Sequence, residues 1–92
     1  IMKSIDQRKI EAWIDQVAEE NPEALTIDGH DNAIVGISRS PGEPALLAYS
    51  ETRIITNLVI RDKMSPTEAR EYFDFNIAGA YMGEGTPVII DD

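Results

Sequence analysis

Apolar residues recur along this chain with two periods, and the switches between them divide it into elements. Ile10, Trp13, Ile14, Val17 and Ala18 follow the three-and-four spacing of one helix face. Ser4-Ile5-Asp6-Gln7 has the form of a capping box ahead of them and Asn21-Pro22 closes the run, so a first helix is predicted from about residue 5 to about residue 20. Three short β-prone runs follow: Ala24-Leu25-Thr26-Ile27, Ala33-Ile34-Val35-Gly36-Ile37-Ser38 and Ala45-Leu46-Leu47-Ala48-Tyr49. The second and third are nearly continuous in apolar residues, which predicts a sheet covered at least in part on both faces. Ser50 then caps a second helix over about residues 51–63, with Ile54, Ile55, Leu58 and Val59 on its apolar face.

The third helix, over residues 65–81, is the most fully specified element and holds four of the six aromatic residues. Ser65 and Glu68 form a capping box, and Pro66 occupies the first helical position, where its missing N–H costs nothing. Ala69, Tyr72, Phe73, Ile77 and Ala80 make its stripe; Phe75 lies off it, so either the helix is covered on a second side or Phe75 is exposed for a partner. Gly79 and Gly83 mark its end, Glu84-Gly85-Thr86-Pro87 is a turn, and Val88-Ile89-Ile90 is a fourth strand.

Asp28-Gly29-His30-Asp31-Asn32 favours a tight reversal with positive φ, making an antiparallel meander of the first strands. Residues 39–44 are richer in breakers and read as an exposed loop. The sum is one small α+β domain over residues 1–92, in the order αβββααβ, with an antiparallel sheet packed against helices. A natural start is expected at Met2, so Ile1 is set aside.

Composition narrows the chemistry. With no cysteine there is no disulfide framework, thiolate metal site or cysteine nucleophile. No run approaches the roughly 20 apolar residues of a membrane span, and the first residues lack the order of a signal peptide, so a cytoplasmic protein without membrane contact is expected. Net charge is −9, from 17 acidic against 8 basic residues, which disfavours direct binding to a nucleic-acid backbone. The acidity serves either solubility or a basic partner.

Glu11, Asp15 and Glu19 sharpen that choice, because residues four apart stack along one ridge of the first helix. Like charges at that spacing destabilise a helix by about 0.2–0.5 kcal/mol per pair, and these gather toward the end where the dipole disfavours them. With a rise of about 6 Å per four residues, the ridge has a spacing close to that of phosphates along a nucleic-acid strand. A solvated face is the plain alternative.

Two further constellations could carry chemistry. Asp28, His30 and Asp31 are the one His–carboxylate cluster, readable as a weak metal or acid–base site or simply as turn residues. Tyr72, Asn76, Tyr81, Glu84 and Thr86 could line a small ligand pocket; alternatively the Asn76 amide faces the core and ties the third helix to the 85–87 turn. Ser4, Ser50 and Ser65 are absorbed as caps, and no glycine pattern opens a helix to cradle a phosphate, so neither a catalytic residue nor a cofactor is assigned.

Glu71-Tyr72-Phe73-Asp74-Phe75-Asn76, Gly79-Ala80-Tyr81, Gly83-Glu84 and Thr86-Pro87 resemble a signature of small uncharacterised phage and prophage proteins, as do Ile27-Asp28-Gly29, Ala33-Ile34-Val35-Gly36 and residues 44–49. The resemblance spans residues 25–90 and leaves the first helix outside, as a family-variable extension. It implies a phage setting, the host cytoplasm, and by analogy an inhibitor of a host factor. Three readings follow: a non-enzymatic interaction protein meeting a basic protein surface, a small-ligand or nucleotide-binding module, and a metal-dependent hydrolase. Homo-oligomers are expected under the first two, since Trp13, Phe75 and Met82 are much apolar surface for a small domain to cover.

Overall fold

The computed structural model describes residues 2–80 and 83–92, with side chains of the first helix described from Gln7 onward. Its elements are α1 (Met2–Glu20), β1 (Ile34–Ser38), β2 (Leu46–Ser50), α2 (Glu51–Ile60), α3 (Pro66–Phe73) and β3 (Val88–Ile90). A 3₁₀ turn at Asp31–Ala33 leads into β1, and a π-helical turn at Asp74–Ala78 prolongs α3. The predicted α+β single domain forms, one strand short of the predicted order. Among the described residues no helix is long and apolar enough to cross a membrane.

β2 is the central strand. It pairs antiparallel with β1 and parallel with β3, in the order β1-β2-β3. Paired residues share a sheet face, so Leu47 stands with Ile37, and Tyr49 with Ile34 and Ile89. That face is the core side, where Ile10 and Val17 from α1, Ile54 and Leu58 from α2, and Ala69 and Phe73 from α3 join Leu47 and Tyr49 in one cluster. Ala48 points the other way and, although buried, lies outside the cluster. The molecule is 20 Å across its thinnest dimension, which suits one helical layer on one sheet.

Two expectations about the sheet need correcting. Residues 24–27 do not form a strand, because their donors are spent elsewhere: Leu25 N–H bonds the Gly85 carbonyl (2.9 Å) and Ile27 N–H bonds the Tyr49 hydroxyl (2.8 Å). The meander is replaced by a mixed sheet, since β3 returns parallel to β2. A parallel return needs a crossover, and here α2 and α3 supply it. Gly29 does adopt positive φ (82°), but in a turn that leads to the 3₁₀ segment rather than in a hairpin.

Helix ends follow the local chemistry of the sequence more closely than its long-range pattern. The Ser65–Glu68 capping box is formed in both directions, at 3.1 Å each way. The Ser50 hydroxyl accepts from Arg53 N–H (3.1 Å) and donates to the Asp92 carboxylate, which also accepts from Thr52 N–H (3.0 Å). Those bonds hold the Asp92 carboxyl below its ordinary range, Ser50 contributing most. At the far end α2 stops at Ile60, short of the predicted residue 63, because the chain turns through Lys63 at φ 60°. α1 begins at Met2, so Ser4 lies inside the helix and not at its cap; its side chain is outside the described residues. The other end is tied to the sheet by Asn21, buried, whose amide donates to the Ala45 carbonyl (3.0 Å).

Gly85 is the closest backbone approach. A Cβ there would land on the Glu23 carbonyl and lie 3.2 Å from Ala24 Cα. Gly85→Ala is therefore expected to cost about 1–3 kcal/mol, read as a lower urea midpoint at unchanged slope. Gly36→Ala, whose added methyl group meets nothing within 4 Å, should shift stability by less than about 0.5 kcal/mol. Equal effects of the two would remove the close approach as a constraint.

Candidate functional site

The acidic ridge stands as the helix pattern requires. Val17 and Ile10 are buried on one side of α1, while Glu11, Asp15 and Glu19 are exposed on another. None of the three has an ion-pair or hydrogen-bond partner among the described residues. Their neighbour Glu20 behaves differently: Arg39, at the end of β1, makes a two-pronged pair with it and holds its carboxyl below the ordinary value. The ridge thus ends beside a carboxylate already paired with a cation.

Of the five residues read as a ligand pocket, the four described ones do not all line one cleft. Asn76 and Thr86 line one cleft of about 250 Å³, with Ile27, Asp28, Ile77 and Ile89. Tyr72 lines a second groove with Phe75 and Asn76 on the outer side of α3, and Glu84 a third depression beside Glu43 and Pro44. Tyr81 lies outside the described residues. The expected tie of Asn76 to the 85–87 turn is absent. Asn76 is exposed, and its amide donates to the Tyr72 carbonyl within its own helix (3.2 Å). The cause is the π turn, in which Gly79 N–H reaches back five residues to the Asp74 carbonyl (3.1 Å). A wider turn puts every later residue out of phase with the helical wheel drawn from Ala69 and Phe73. Thr86 instead closes its own turn, its hydroxyl donating to the Gly83 carbonyl (2.7 Å).

His30 is 5% exposed, whereas Asp28 and Asp31 face solvent. Among the described residues no three acidic or histidine side chains are placed to hold a metal ion. His30 Nδ1 lies 3.1 Å from the Asn57 amide nitrogen, which can only donate, so Nδ1 is the accepting atom of a neutral ring. Asn57 in turn exchanges two hydrogen bonds with Asn32, at 2.7 and 3.0 Å. The arrangement ties the turn before β1 to the flank of α2. Burial, and then the nearby Arg61 charge, pushes the His30 pKa below its ordinary value, against the smaller pull of Asp62 and Asp31.

Neither the Asn32–Asn57 pair nor the Ser50–Asp92 pair is legible in the sequence. Both join residues far apart in the chain, and neither leaves a local pattern. The cleft walls at Ile27 and Asp28 are hidden in the sequence for the same reason. Comparison of the chain with protein-family models, curated proteins and solved structures finds no match in any of the three.

Because His30 is held neutral, the unfolded chain takes up its proton first as pH falls. Its contribution to stability is therefore whole above about pH 6.5 and is lost as pH drops through the depressed folded pKa. Glu20, Asp62 and Asp92, all held low, act only further down, in the carboxylate range. Urea midpoints measured between about pH 7 and pH 5 should fall for the wild type and stay flatter for His30→Gln. Parallel curves would contradict a neutral buried ring.

Proposed function

We propose that this chain is a non-enzymatic interaction protein, whose partner is a protein with a basic surface that meets the acidic ridge of α1. What supports this most directly is that Glu11, Asp15 and Glu19 stand exposed and without a counter-ion among the described residues, in a like-charge arrangement that costs helix stability. Neutral polar residues would hold the same face at lower cost, so selection for charge itself is the economical explanation. A phage-encoded inhibitor of a host factor, working in the host cytoplasm, is the biological form of this reading, and the resemblance of residues 25–90 to small phage proteins is its support.

A ridge of this kind binds through charge, so association should weaken steeply with salt. The joint variant Glu11→Gln, Asp15→Asn, Glu19→Gln is expected to fold with slightly raised stability, and to lose the salt-sensitive partners that the wild type retains in a low-salt pull-down from bacterial lysate. If the same partners are retained at the same salt, the ridge serves solubility alone.

The cleft that unites Asn76 and Thr86 favours a second reading, a small-ligand or nucleotide-binding module. It offers apolar walls from Ile27, Ile77 and Ile89 with Asp28 at the rim. A thermal-shift screen of nucleotides and metabolites tests it, since a ligand at 100 times its Kd adds about 2.7 kcal/mol of stability. A screen with no shift counts against the cleft and leaves the ridge untouched.

A further inference from the structure

Phe75 is 82% exposed, and Tyr72, one turn before it, is 42% exposed. Among the described residues no other large apolar side chain is as open as Phe75. The two rings share a groove of about 300 Å³ on the outer side of α3 with Met64, Glu68, Glu71 and Asn76. Among the described residues no basic one lines it. Arg70, next to Glu71 in sequence, is turned toward Glu51 (3.2 Å) and Asp74 (3.8 Å) and over the buried Phe73 ring, 5.6 Å from its centre.

Phe75 belongs to the π turn Asp74–Ala78. Such turns are uncommon and are frequently found at functional sites. This one leaves Ile77 half-buried against the core while Phe75 stands in water. Water-exposed aromatic surface beside a shallow groove is what a buried anchor of an interface looks like before its partner arrives.

The charge around the groove selects the occupant. Glu68 and Glu71 line it, both exposed. A nucleic acid would be repelled by that rim. A second copy docking by a two-fold axis would set the same carboxylates against themselves, on a chain that already carries −9. A segment with Arg or Lys flanking an apolar side chain fits both features, with its cation over the Tyr72 and Phe75 rings and paired to Glu71.

We propose that the groove of Met64, Tyr72 and Phe75, rimmed by Glu68 and Glu71, is a docking site for a basic amphipathic segment of a protein partner, with Phe75 as its anchor. This rests on the reading of the chain as an interaction protein, but uses a different surface from the α1 ridge. The test uses fluorescence anisotropy with a labelled amphipathic helical peptide of leucines and arginines, and with the same peptide carrying Glu for Arg. The wild type should bind the arginine peptide and not the glutamate peptide. Phe75→Ser, at a site open enough to leave folding intact by circular dichroism, should weaken binding by about tenfold or more. Glu71→Gln should weaken it less and reduce its salt dependence, and the α1 triple variant should retain it. Loss of binding in the triple variant with Phe75→Ser unchanged would overturn this groove and leave the ridge reading standing. Equal binding of the two peptides would overturn the charge argument. Light scattering that shows a wild-type dimer made monomeric by Phe75→Ser would assign the groove to a second copy and overturn the proposal.

Discussion

The hydroxyl of a fully buried tyrosine organises this fold. Tyr49 has no solvent exposure, and a phenol in a dry core must find a hydrogen-bond partner. It finds the amide of Ile27, and so draws residues 24–27 along the flank of the domain without making them a strand. The ring fills the centre of the cluster that all three helices share. Burial pushes the phenol above its ordinary pKa, against the opposing effect of the amide bond. The next residue, Ser50, ends the strand and caps α2 while bonding Asp92 beyond β3. Two consecutive side chains thus bind a loop, a helix and the far edge of the sheet to the central strand.

With the core built from one side of the sheet, the surfaces left to the helices are narrow and distinct. α1 sets its apolar residues on the sheet and keeps a row of carboxylates outward. α3 and its π turn do the same with Ala69 and Phe73 inward and a carboxylate-rimmed pair of aromatic rings outward. Both outward faces are acidic. They differ in what would follow contact. The α1 face offers charge alone, which steers and is screened by salt; the α3 face adds apolar surface that water leaves on binding.

The buried His30 belongs to a different layer of the design. Its neutral ring and the reciprocal amides of Asn32 and Asn57 bridge the turn before β1 to α2, on the side of the sheet where the helices pack. Arg61 reaches the Gly29 carbonyl from the end of the same helix. The bonded amides and ring nitrogen lock one arrangement of turn against helix.

Local patterns settled much of this protein in advance. The capping box at Ser65, the cap at Ser50, the apolar face of α2, the close of α1 at Asn21 and the strands β1, β2 and β3 are legible because each depends on residues within a turn or two of one another. The exposure of Glu11, Asp15 and Glu19 follows from the same helical spacing, and Phe75 stood off its stripe in the sequence as it does in space. Tertiary structure decided the rest. Residues 24–27 have the composition of a strand, but Tyr49 and Gly85 take their donors; β3 is a strand either way, but the α2–α3 crossover sets its direction. Asn76 lost its predicted place when one wide turn changed the helical phase, and it lines two depressions, one with Tyr72 and one with Thr86. The physical reason is common to all of these: a side chain's periodicity is written locally, whereas the partner of a buried hydroxyl, a free amide or a returning strand is chosen by whatever the folded chain brings near.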